Sequence, residues 1–136
     1  MASTIYPKFK QALWEQPSNS NVSSGNVKAV LVDLADYTYS ATHEFLSDIP
    51  AAARVATSGN LASKTFTDGV FDAADVTLTG VSGDQSEAIV LYIDTGTATT
   101  SRLICYIDSA TGLPVTPNSG DIGFQWDNGA NKIAKL

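Results

Sequence analysis

Asp94-Thr95-Gly96 follows the apolar run "AIVLYI" of residues 88 to 93, and that triplet behind a hydrophobic strand is the layout of the catalytic motif in aspartic peptidases. The chemistry needs two carboxylates that share one proton, because like charges about 3 Å apart cannot both ionise. A chain with one such triplet therefore needs a homodimer. In peptidases of that dimeric kind most of the domain follows the motif, including a second apolar segment that ends in Gly. Here 40 residues follow Gly96 and they contain no such segment. Asp108 supplies no second copy, since Ser109 is followed by Ala110. Asp, Thr and Gly are also the residues that turn a chain at a strand end, and the turn is the stronger reading.

The remaining reactive residue types give no catalytic pattern. His43 is the only histidine, so a Ser-His-Asp triad has to run through it, and the sequence has no Gly-x-Ser-x-Gly elbow. A packing or helix-end histidine is expected. Cys105 lies inside the apolar run "LICYI", the setting of a buried, inert thiol. "GVSGDQSE" and "SSGN" do not continue into Gly-Lys-Ser/Thr, so they read as turns and not as phosphate cradles. Asp68, Asp72 and Asp75 miss the spacing of a calcium loop and lack its distal Glu, which makes solvated turn carboxylates the expectation. No catalytic residue, cofactor or metal site is assigned, and the chain is expected not to be an enzyme.

Composition narrows the classes further. The 136 residues suit one domain large enough to bury a core without staples. Charged residues make up 16% of the chain while Ser and Thr number 28, so the surface is expected to be mostly neutral hydroxyl and amide. A net charge of −6 removes the usual attraction to phosphate backbones, and nucleic acid is not an expected partner. A single cysteine excludes an intrachain disulfide and fits synthesis in a reducing cytosol. No apolar run approaches the roughly 18 residues of a membrane span, and the first residues alternate lysine with apolar side chains. The chain reads as soluble and unprocessed, with no membrane partner.

The elements that must position any site are mostly strands. Residues 26–34, 53–57, 63–71 and 75–81 are short, rich in Val, Thr and Phe, and bounded by Gly, Asp, Asn and Ser. Residues 88–93 and 103–107 are apolar throughout, as central strands are, and "DTGTATTS" joins them as a hairpin. Asn128-Gly129 predicts a type I′ turn and a terminal hairpin. Residues 6–16 carry Pro7 at a first helical turn and Phe9, Leu13 and Trp14 at helical spacing, which predicts a short amphipathic helix. Residues 41–50 predict a turn or two that stop before Pro50. The fold class expected is all-β, a β-sandwich or jelly-roll-like domain of about eight strands with a short N-terminal helix or arm. The expected organisation is an arm over residues 1–24 and a single β-sandwich domain over residues 25–136.

The stretches "YPKFKQALW", "DYTYSATHEFLSDIPAAARVATS", "DGVFDAADVT", "GDQSEAIVLYIDTGTATTSRLICYID" and "GLPVTPNSGDIGFQWDNGANKIAKL" resemble a family of small virion proteins from tailed bacteriophages. The resemblance runs over nearly the whole chain, including residues 45–50 and the segment 126–129. Its best role match is the capsid decoration, or cement, protein, which sits on the outside of the major capsid lattice and reinforces it. The partners so implied are the phage major capsid protein and other copies of the chain. The location so implied is the capsid exterior, after synthesis in the bacterial cytoplasm. The resemblance implies a role and no binding residue, and head-fibre and tail roles stay open beside it.

The residues themselves suggest where a partner is gripped. Tyr6, Phe9, Leu13 and Trp14 form an apolar set separated from the strands by the Ser/Asn/Gly loop of residues 17–26, and are the candidate interface. The equal alternative is that this segment lies across its own sandwich and closes the core. A host-attachment or carbohydrate-binding module is the alternative function, with exposed Trp14, Trp126, Tyr37 or Tyr39 stacking on sugar rings.

Overall fold

The computed structural model describes residues 2–136 and is mainly β, a small sandwich-like fold with one α-helix. Its centre is a five-stranded antiparallel sheet. The strands are β1 (Ala2–Ile5), β2 (Asn26–Val32), β3 (Arg54–Thr57), β6 (Ala88–Asp94) and β7 (Arg102–Ser109), in the order β1-β7-β6-β2-β3. The runs expected to be central are β6 and β7, and every residue from Ala88 to Ile93 and from Arg102 to Ile107 is buried. Continuous burial means both faces of these strands are covered, which is why neither shows polar alternation.

The covering layers are small. The helix α1 (Pro7–Glu15), the two-stranded ribbons β4 (Val70–Phe71) with β9 (Ala134–Lys135) and β5 (Val76–Leu78) with β8 (Ile122–Phe124), and long loops complete the fold in place of a full second sheet. Within residues 41–50, where a turn or two was expected, a 3-10 helix spans Leu46–Asp48 and ends before Pro50. Asp48 Oδ2 accepts the backbone N–H groups of Glu44 and Phe45 at 2.8 and 3.0 Å and so caps that turn.

Three expectations change. Asn128-Gly129 does not join a hairpin, because the strand before it, β8, pairs with β5, and the strand after it, β9, pairs with β4. Residues 63–71 are not one strand: Asp68 adopts a left-handed φ of 55° and the chain turns there before the two residues of β4. The N-terminal segment begins with a strand, since β1 pairs with β7 as an edge of the main sheet and Tyr6 N–H donates to Ile104 O at 3.0 Å. Residues 2–15 are therefore built into the same body as the rest, and Met1 lies outside the described residues.

Candidate functional site

The four candidate interface residues are divided by their positions on and before α1. Pro7 occupies the first helical turn, where its missing N–H costs nothing. Tyr6 and Phe9 point into the core and are buried, Leu13 packs partly against it, and Trp14, one residue on, is 90% exposed. The helix stops at Gln16, whose left-handed φ of 54° turns the chain while its N–H donates to Ala12 O at 2.7 Å. The segment thus closes its own core through Tyr6 and Phe9, and leaves one large aromatic in solvent.

Beyond Gln16 the Ser/Asn/Gly loop is pinned at both ends. Lys64 Nζ donates to the carbonyls of Val22 and Gly25, each at 2.7 Å, and desolvation in this place lowers the ammonium's pKa. Asn19 Nδ2 donates to Thr100 O at 2.9 Å, while its Oδ1 accepts from the Nε of buried Arg102 at 3.1 Å. Between this loop, Phe9 and Leu13 of α1, and the Phe66 and Leu136 side lies a groove of about 710 Å³. Ile5 and Ile104 of the sheet and the stacked pair Phe66 and Phe71, 5.3 Å apart, give it an apolar body. Ser18, Ser20, Asn21, Ser23 and Ser24 give it a hydroxyl and amide rim, and no side chain that lines it is ionisable. Among the described residues the exposed large hydrophobics are Trp14, Phe66 and Leu136; two line this groove and the third adjoins Leu13, which does.

A second feature gathers tyrosines from distant parts of the chain. The Tyr6 and Tyr37 hydroxyls share a hydrogen bond at 2.9 Å, and the Tyr37 hydroxyl shares another with His43 Nδ1 at 2.8 Å. The Tyr39 ring lies 5.2 Å from that of Tyr6 and 5.1 Å from that of Tyr106. Burial, then the bond to Tyr37, drives the Tyr6 phenol far above its ordinary value. Burial, with Asp108 next in weight, pushes Tyr106 up to about 12. Tyr37, Tyr39 and Tyr106 line a shallow cleft of about 470 Å³ with Asp108 at its edge. No signal in the sequence joins these residues, because they come from before α1, from the segment after β2 and from β7.

The other reactive residues are tied up in the fold. Asp94 Oδ1 accepts the Gly96 N–H at 3.0 Å and Oδ2 pairs with Lys28 Nζ at 2.8 Å, the geometry of a turn carboxylate. Cys105 is buried, and burial pushes its thiol up to about 12. Asp75 Oδ1 accepts the Trp126 N–H at 2.9 Å, and the buried Trp126 donates Nε1–H to Ala74 O at 3.0 Å. Among the described residues the carboxylates that converge are Asp33, Asp36 and Asp84, a cluster drawn from two separate turns that sequence spacing did not reveal. Asp33 Oδ1 is already engaged by the Ala35 N–H at 2.8 Å. Compared with models of known protein families and with curated proteins, the chain matches none.

Proposed function

We propose that the chain is a non-enzymatic structural protein of a tailed-bacteriophage virion, which binds the outer surface of the major capsid lattice and stabilises the head as a decoration protein. The role comes from the resemblance of its sequence segments. The observations that carry it further are the exposed Trp14 on α1 and an apolar groove, lined by Phe9 and Leu13 of the same helix, with no ionisable lining side chain. Exposed apolar surface of this kind marks a protein contact, and a large aromatic is the side chain that carries most of such a contact's energy. A shell repeats its sites, so a modest interface gains strength through multivalency and needs no chemistry.

The sugar-stacking alternative has less support: of its candidates Trp14 is highly exposed, but Trp126 and Tyr37 are buried, and the Tyr39 ring is tilted by 39° to its neighbour Tyr106 rather than coplanar with it. Cryo-electron microscopy of the source particle tests the proposal by where this chain's density lies. Density over the capsid lattice supports it. Density confined to fibres or to the tail overturns it in favour of the attachment role.

A further inference from the structure

We infer that Asn128-Gly129 is a site of spontaneous covalent modification, where the Asn128 side chain closes on the Gly129 nitrogen, loses ammonia and ends as aspartate and isoaspartate. The pair joins no hairpin, so no strand ladder holds it. Asn128, Gly129, Ala130 and Asn131 are all exposed and lie between β8 and β9, outside any helix or strand. Ring closure needs a carboxamide free to turn, a backbone nitrogen able to give up its proton, and no side chain on the next residue to block the approach. Among the described residues no hydrogen bond holds the Asn128 amide or the Gly129 N–H. Glycine has no Cβ, and the two reacting groups belong to adjacent residues, so the step is intramolecular.

The rest of the chain shows what is special here. Asn19, Asn21, Asn26, Asn60 and Asn118 each commit side-chain atoms to hydrogen bonds, and none precedes a glycine. Asn131 is as exposed as Asn128, but Lys132 follows it, with a Cβ and with an N–H that donates to Gly129 O at 3.3 Å. Asp68-Gly69 is the matching aspartyl pair, and there the Gly69 N–H is held by Phe66 O at 3.1 Å. Exposure, an open nitrogen and a following glycine coincide at Asn128.

The atoms balance without an oxidant or reductant. The Gly129 nitrogen gives its proton to solvent base and attacks Asn128 Cγ; the N–Cγ bond forms, the Cγ–Nδ2 bond breaks, and Nδ2 leaves as ammonia. Water then opens the succinimide ring. Addition at Cγ leaves an aspartyl residue, and addition at the main-chain carbonyl leaves an isoaspartyl link that runs through Cβ and Cγ. Either product adds a negative charge to a chain already at −6. The isoaspartyl link also lengthens a span fixed at both ends, by Trp126 N–H on Asp75 Oδ1 at 2.9 Å and by Ile133 N–H on Phe71 O at 3.0 Å.

The test ages the purified full chain at mildly alkaline pH and follows Asn128 and Asn131 by peptide mass spectrometry, with isoaspartate counted by enzymatic methylation. Asn128 should convert about tenfold or more faster than Asn131. Its rate should change by less than about threefold when the chain is unfolded in urea, because the fold leaves the pair open. Gly129→Ala should slow the conversion about tenfold. Gly129 has no left-handed φ, and a Cβ there meets the carboxylate of Asp127 at 2.9 Å, the end of a side chain that can turn. Asn128→Gln, at an exposed position, should leave the segment unmodified. Conversion of Asn128 no faster than that of Asn131, an unchanged rate in Gly129→Ala, or strong protection of Asn128 by the fold overturns the inference. The comparisons with Asn131 and with the unfolded chain need no variant, so they decide the matter even if Gly129→Ala fails to fold.

Discussion

Lys28 Nζ lies 2.8 Å from Asp94 Oδ2, a diagonal ion pair between β2 and β6 that occupies the carboxylate of the Asp-Thr-Gly triplet. Lys28 first, and the Gly96 N–H next, hold the Asp94 carboxyl below the usual carboxylate range, and the same pairing raises Lys28. A depressed carboxyl contributes stability above its unfolded value and loses it as pH falls through the folded value. A raised lysine contributes below its unfolded value and loses it as pH rises through the folded one. Both side chains are about a quarter exposed, which screens the pair. Asp94→Asn should therefore cost under about 1 kcal/mol at neutral pH, and the gap should close at an acid pH at which the carboxyl is protonated in both states. Urea unfolding of both proteins at the two pH values checks this, and a gap that persists in acid would exclude the ion pair as its source.

Gly25 ends the loop that walls the groove, and it has no room for a side chain. A Cβ there would lie 2.6 Å from Asn21 O and 2.8 Å from Ile93 Cγ2, the first of which is backbone and cannot swing aside. Gly25→Ala should destabilise the chain by about 1–3 kcal/mol. Thermal unfolding measures the loss. An unchanged melting temperature would mean the loop relaxes freely and the groove wall is not fixed.

How much of this was readable depended on whether the signal was local. The unbroken apolar runs of β6 and β7 declared two-faced burial, and Pro7 with Phe9, Leu13 and Trp14 declared α1. Asn128-Gly129 misled because turn chemistry is local while pairing is not: β8 and β9 find partners 44 to 65 residues away, as in Leu78 with Ile122 and Val70 with Lys135. Ser3, Thr4 and Ile5 of β1 are too few to show alternation before Pro7 starts the helix, so for this segment the sequence left a docking arm and a cover for the chain's own core as equal readings. Its true place is set by hydrogen bonds to β7, a hundred residues on. The tyrosine cleft was invisible for the same reason.

Tyr37 is the middle member of the hydrogen-bonded chain that joins Tyr6 to His43, and with Tyr6 donating to Tyr37 and Tyr37 to His43 its members are unequal. Removing the Tyr6 hydroxyl leaves Tyr37 still donating to His43, so Tyr6→Phe should cost about 0.5–1.5 kcal/mol. Removing the Tyr37 hydroxyl strands the Tyr6 O–H, which is fully buried, without an acceptor. Tyr37→Phe should cost about 1–3 kcal/mol. The double variant should recover part of the loss, because the stranded donor is then gone. Chemical unfolding of the three variants tests the order; equal single costs would show that the chain runs the other way or is bridged elsewhere.

Trp14 and Phe9 lie on one helix, and they separate partner binding from folding. Phe9 is 3% exposed and belongs to the main core, so Phe9→Ala removes packed apolar volume and should cost about 3–5 kcal/mol. Trp14 is 90% exposed and supports nothing inside the chain, so Trp14→Ala should change stability by less than about 0.5 kcal/mol. Deleting residues 1–24 is the wrong probe, because it also removes β1, Tyr6 and Phe9 and should yield an aggregating or much less stable product. On the decoration reading, Trp14→Ala should lose about 2 kcal/mol or more of affinity for undecorated shells while it keeps its fold. Co-sedimentation of the two point variants with bare shells, alongside their melting curves, makes the comparison. A Trp14→Ala protein that decorates shells normally would remove the α1 face from the interface and leave the loops at the ends of the sheet as the place to look.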